Sequence, residues 1–243
     1  MIGAPAVRPK YSTLSEMLAH AARSDVSLFF VDRKEQDLEV PMARVRQRAM
    51  SIAADLMARG VKKGERVALV LPTCPEFVEC LFGVICAGAI PVPLYPPVRL
   101  GKLGEYHSKT AAMLRAVNAA LVVTDERIRR LLGTSVQLAA PRLGCVTASS
   151  LDGCNSVEIG ATADAVALIQ FSSGTTQDPK PVALTHDNLL SNLATIEQYL
   201  IENGGPHPVG VTWLPLYHDM GLIGNLLSVF YMQSRMVLLP PEL

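Results

Sequence analysis

Apolar positions along the chain alternate between a helical and a strand-like repeat. Residues 12–23 open on Ser12 and Thr13 and set Leu14, Met17, Leu18 and Ala21 on one face, which predicts a capped amphipathic helix. SLFFVD at 27–32 is a short apolar run suited to a strand. A second helical pattern covers 41–59 and stops at Gly60, a residue able to take positive φ past a helix end. RVALVLP at 66–72 reads as a buried strand. CPEFVECLFGVICAG reads as a helix with Pro75 in its first turn and Gly88 past its last. A proline-rich connection leads to a helix at about 106–117, a strand at 120–125 and a basic helix around 126–132.

Residues 149–164 are polar, Gly-bearing and without periodicity, so they read as a linker between sub-regions 1–148 and 165–243. Beyond it, strands at 165–171, 181–184, 209–214 and 235–239 alternate with helices at 186–202 and 220–233. Leu189, Leu190, Leu193, Ile196 and Leu200 give the first of these helices its core face. Continuous apolar strands between helices predict an α/β fold with mainly parallel sheets flanked by helices. The alternation stops on RMVLLPPEL, a buried-type strand without a closing helix, so the chain reads as truncated.

Composition narrows the function. With 49% hydrophobic residues and zero formal net charge, the chain is neither disordered nor basic enough to neutralise a nucleic-acid backbone. The zero conceals an asymmetry. Residues 160–243 hold two cations, Lys180 and Arg235, against seven carboxylates, and the remaining 20 cations and 15 carboxylates lie before them. The uncharged stretch 80–98 is cut by four prolines, and 220–234 is shorter than the ~20 residues a membrane span needs, so no transmembrane segment is expected. Five cysteines show neither CxxC nor zinc-like spacing. With no apolar leader at the start, they predict reduced, mostly buried thiols in a cytoplasmic protein.

Candidate chemistry gathers at 171–188, F-S-S-G-T-T-Q-D-P-K-P-V-A-L-T-H-D-N. A strand delivers the chain into Ser172, Ser173, Gly174, Thr175 and Thr176, small hydroxylated residues whose N–H and O–H groups can wrap an anion. Lys180 can reach the same anion as a point charge, and Thr185 is placed to cap the next helix. This is not a Walker A loop, and neither GxGxxG nor GxSxG occurs. A polar surface loop remains the plain alternative on these residues alone.

The full string resembles the phosphate loop of the adenylate-forming superfamily, S/T-S-G-S/T-T-G-x-P-K-G-V followed by TH or SH. Two further segments fall in that family's order: 58–97, ending PVPLYPP, and WLPLYHDMGLIG at 213–224. Their endings are most similar to the fatty-acyl-AMP ligase branch. The resemblance implies a two-step reaction with ATP and Mg²⁺ as cofactors. A fatty acid becomes an acyl-adenylate and then passes to an acyl carrier protein or CoA.

By the same resemblance, Ser172, Ser173, Gly174, Thr175, Thr176 and Lys180 would hold the phosphates, with Thr175 and Thr176 nearest the metal. Lys180 and His218 would act in catalysis. Trp213, Tyr217, His218, Met220 and Gly221 would meet the substrate, with Asp219 capping a helix and orienting His218. Gln177 and Pro181 stand where the family has glycine, implying a stiffer loop one donor poorer. The family's later adenine, ribose and catalytic-lysine motifs do not occur, so this chain alone is not expected to turn over. A non-catalytic nucleotide- or acyl-binding module of the same descent remains the alternative.

Overall fold

A computed structural model describes residues 7–32, 34–97, 103–154, 157, 159–172, 179–204 and 209–241. The chain runs α1 (Leu14–Ala21), β1 (Ser27–Val31), β2 (Asp37–Pro41), α2 (Met42–Ala58), β3 (Arg66–Val70), α3 (Pro75–Cys86), β4 (Ile90–Pro93), α4 (Leu103–Ala116), β5 (Ala119–Thr124), α5 (Glu126–Ala139) and β6 (Cys145–Thr147). It continues through β7 (Val166–Phe171), β8 (Pro181–Thr185), α6 (His186–Gly204), β9 (Gly210–Thr212), a π-helix (Met220–Leu227), α7 (Ser228–Met232) and β10 (Met236–Leu238).

One four-stranded sheet has the order β4-β3-β5-β6, and all its pairs are parallel. Its inner strands read as unbroken apolar runs because helices cover both faces; all six residues of β5 are buried. The proline-rich connection contains a strand after all. Ile90 and Leu94 donate their N–H groups to the carbonyls of Glu65 and Leu69 at 2.8 and 2.9 Å. Alternation then turns positions 91 and 93 away from β3, where a proline forfeits no ladder bond.

The second sheet has the order β2-β1-β10-β9 and so joins strands from both ends of the sequence. β1 pairs antiparallel with β2 and parallel with β10, with Leu28 opposite Met236. The third pairing, β7 with β8, is an antiparallel hairpin. Parallel pairs therefore predominate, as expected, and the antiparallel exceptions follow from short connections.

α5 runs past the expected stop at 132 and across Gly133, because Ile128, Leu132 and Ser135 keep one buried face. The expected helix over 220–233 is in fact a π-helix followed by a short α-helix. Apolar spacing does not separate these pitches; local carbonyl partners do. Asn225 Nδ2 donates to the Met220 carbonyl at 2.9 Å, and Ser228 Oγ donates to that of Ile223 at 3.2 Å. Of the cysteines, Cys80 and Cys86 are buried, Cys74 and Cys145 half-buried and Cys154 exposed, and none of the five is in a disulfide.

α3 is buried on nearly every side, from Phe77 through Cys86. α2 packs so closely on it that a Cβ at Gly83 would lie 2.5 Å from Ile52 Cγ2. On another side, Phe82 meets Phe230 of α7 with ring centroids 4.7 Å apart. None of the described helices is long and apolar enough to cross a membrane.

His186, the first residue of α6, ties α1 to this body: its Nδ1 accepts the Leu14 N–H at 3.0 Å, which requires an unprotonated nitrogen. Burial pulls its pKa down to about 4, whereas the unfolded side chain takes a proton near 6.5. The unfolded state therefore binds more protons as pH falls from 6.5 toward 4, so stability is whole above that window and declines through it. Urea midpoints at pH 7 and pH 5 should show this decline, and His186→Ala should be less stable at pH 7 with a flatter dependence.

Candidate functional site

The β7–β8 hairpin fixes the two ends of the serine- and threonine-rich segment. Ser172 donates its N–H to the Lys180 carbonyl at 3.0 Å, and Phe171 stands opposite Pro181. In an antiparallel ladder the pair next to a hydrogen-bonded one is unbonded. Pro181 thus occupies a position whose N–H would not serve the ladder, so this departure from glycine costs the hairpin no bond. Ser173, Gly174, Thr175, Thr176 and Gln177 lie outside the described residues, and with them the two expected metal contacts. Lys180 and Ser172 are both exposed.

Beyond the hairpin, Thr185 caps α6 as expected. Its Oγ1 accepts the Asn188 N–H at 3.1 Å, while Asn188 Oδ1 accepts the Thr185 N–H at 3.2 Å. This reciprocal pairing is a capping-box arrangement. It sets the hairpin's outgoing end on a firm helix.

Between the hairpin, the end of β4 and the turn before the π-helix lies a cavity of about 430 Å³. Its size falls within the ~300–1,000 Å³ typical of small-molecule sites. Ser172, Tyr217, His218 and Asp219 line it on the polar side. Leu94, Met113, Leu184 and Ile223 line it on the apolar side. The structure therefore brings Ser172, Tyr217 and His218 together. Trp213 and Met220 are 65% and 60% exposed and do not line this cavity, and Met220 lies over Gly224. Lys180 stands at the hairpin mouth, outside the lining.

His218 Nδ1 and Asp219 Oδ1 are 2.7 Å apart, and the same oxygen accepts the Met220 N–H at 2.7 Å. A carboxylate only accepts, so Nδ1 carries the proton and Nε2 of a neutral ring keeps a lone pair. Asp219 thus both caps the π-helix and sets the tautomer of the cavity's histidine. Gly221 serves by closeness: a Cβ there would run into the Pro215 carbonyl oxygen. It lets the helix start press against the turn that presents Tyr217 and His218. Gln170 adds a long hydrogen bond, 3.4 Å, from Nε2 to the Tyr217 carbonyl.

Several lining residues are absent from the sequence-level candidates. Tyr95 sits in the PVPLYPP segment that carries the resemblance, but only its contact with Tyr217, centroids 6.4 Å apart, places it at the site. Met113 and Ile223 look like ordinary core positions of their helices. Nothing in their spacing distinguishes a cavity wall from a filled interior.

The family profile of AMP-binding enzymes matches residues 20–243, and the chain belongs to that family. It is 29% identical over 231 residues to a putative acyl-CoA synthetase of Caulobacter vibrioides, an alignment covering 95% of this chain and 40% of that protein. It is 30% identical over 207 residues to a long-chain-fatty-acid–AMP ligase of Mycolicibacterium smegmatis, covering 82% and 32%. A structure from a study of fatty acyl-adenylate ligases of E. coli and L. pneumophila superimposes with a TM-score of 0.87 at 29% identity, over 96% of this chain and 42% of that one. The chain thus spans well under half the length of these relatives.

Gly221→Ala should destabilise the fold by about 1–3 kcal/mol, the range for overpacking. It should also shift the amide resonances of residues 215–218 in a heteronuclear NMR spectrum. An unchanged melting temperature with unchanged resonances would show that the close approach is not needed.

Proposed function

We propose that this chain is the N-terminal portion of an ATP-dependent enzyme that activates fatty acids as acyl-adenylates, in the fatty-acyl-AMP ligase class. The observation that carries this reading is the polarity of the cavity. Ser172, His218 and Asp219 are exposed on one side, and an apolar floor lies on the other. An amphipathic acid fits that division, with its carboxylate toward the hairpin and its tail inward. The relatives' names point the same way: one is a medium-chain-fatty-acid–acyl-carrier-protein ligase from Moorena producens.

In the proposed reaction a carboxylate oxygen bonds to the α-phosphorus of ATP, and the bond from that phosphorus to the pyrophosphate oxygen breaks. The acyl group of the adenylate then passes to a thiol on an acyl carrier protein or CoA, releasing AMP. The barrier is electrostatic, because an anion must approach an anionic triphosphate. Donors and cations are therefore needed where charge accumulates. The residues present fit a nucleotide phosphate at the mouth: Ser172 lines it, and its N–H bond to the Lys180 carbonyl ties together the two strand ends between which the hydroxyl-rich segment runs in the sequence. Mg²⁺ would supply charge neutralisation there, with Thr175 and Thr176 the candidate contacts. His218, held in one tautomer by Asp219, presents Nε2 as an acceptor or, when protonated, a cation for the acid.

Calorimetric titration of the purified chain with Mg·ATP and with a non-hydrolysable acyl-adenylate mimic tests the proposal. Both should bind in mutual competition. Lys180→Ala should weaken ATP about tenfold to a hundredfold, from ~1.5–3 kcal/mol for a charge-assisted contact. Unaltered ATP affinity in the variant would remove Lys180 from the phosphate site, and failure of both ligands to bind would remove the function. The chain alone should show no ATP–pyrophosphate exchange.

A further inference from the structure

The cavity lies at a seam. Leu94 and Met113 belong to the apolar cluster built on the parallel sheet of β3 and β5, with Tyr95 and Phe171 packed against it. Ile223 belongs to the other cluster, built around α3 and α7, and Leu184 packs against that one. Burial gives the seam a direction. Leu94 and Met113 are 2% and 3% exposed and Ile223 is buried, whereas Ser172, His218 and Asp219 are open to solvent. The polar groups therefore form the mouth, and Leu94, Met113 and Ile223 form the floor.

The three floor residues are not equally adjustable. Leu94 ends the β4 ladder, with its N–H bonded to Leu69. Ile223 is β-branched and so stiff at χ1, and its carbonyl is held by Ser228. Met113 is unbranched, with three rotatable bonds and a polarisable sulfur that adapts to irregular space. Its backbone, in contrast, is fixed. Tyr106, two turns earlier on the same face of α4, donates its hydroxyl to the Tyr95 carbonyl at 3.1 Å and stacks edge-on against that ring at 5.6 Å. This bond locks α4 to the end of β4, leaving the Met113 side chain as the movable part of the floor.

Resting on the reading of this cavity as an acid-binding site, we infer that Met113 sets the length of the apolar tail it admits. A larger rigid side chain at 113 shortens the space below the mouth, and a smaller one extends it into the seam. Tyr106 acts through position alone, holding the helix that carries Met113.

The test is direct binding of saturated fatty acids of graded length to the purified chain, read by displacement of a fluorescent fatty acid. Wild type should show one preferred length. Met113→Phe should shift that preference to shorter acids, with roughly fourfold affinity lost for each methylene denied burial. Met113→Ala should shift it to longer acids, and Met113→Leu, close in volume, should leave it in place. Circular dichroism checks each fold; if the alanine variant does not fold, the phenylalanine variant decides. Binding with the same preferred length in wild type and Met113→Phe would overturn the role of Met113 and leave the proposed function standing. Absence of any acid binding by the wild-type chain would overturn both.

Discussion

A helix with no water-facing side imposes its needs on everything near it. Ten of the twelve residues of α3 are buried, and such a helix is stable only if neighbours cover it all round. α2 covers one side at near-backbone distance through Gly83, and the Phe82–Phe230 contact closes another with α7. Because α7 follows directly on the π-helix, covering α3 also sets where the π-helix begins. The turn carrying Tyr217 and His218 is in this way placed by packing far from any chemistry.

The parallel sheet acts at the other wall. Its strands deliver their C-terminal ends to one edge, where β4 gives way to Leu94 and Tyr95 and where the open crevice of such sheets lies. The β7–β8 hairpin closes the third side with its own pairing, Ser172 to Lys180. Three separately stabilised elements meet without filling the space between them. The gap is amphipathic because Ser172 of the hairpin and His218 and Asp219 of the turn are exposed at its mouth, while Leu94, Met113 and Ile223 line its floor from the two apolar cores.

Charge at the site is sparse. Lys180 stands at the hairpin mouth, Asp219 is spent on His218 and the Met220 N–H, and most of the chain's cations belong to its first 159 residues. Phosphate recognition in the proposed reaction would therefore depend on backbone and hydroxyl donors and on a bound metal more than on side-chain cations. Two arginines of the first part serve structure instead. Arg66 donates to the carbonyls of Val117 and Asn118 past the end of α4, and Arg142 to that of Gly60 past α2. Cations there offset the negative ends of the helices.

Much of the fold was legible in the order of residues, since periodicity and capping are local. Thr13, Thr185, Gly60 and Gly88 mark helix ends in the sequence and do so in the structure. The hydroxyl-rich segment, Lys180 and the YHDMG run were likewise visible as short motifs. Pairing was not legible. That β1 lies beside β10, and that Ile90–Pro93 is a strand despite its prolines, depends on partners more than twenty residues away. The cavity was not legible either. Met113 and Ile223 satisfy the same apolar spacing whether the space beside them is filled or open, and only the meeting of two cores decides which. Local sequence thus determined most of the helices, the longer strands and the chemical groups at their ends. Tertiary packing decided which groups share a site, because an unfilled volume is a property of the surfaces that fail to meet and of no one segment.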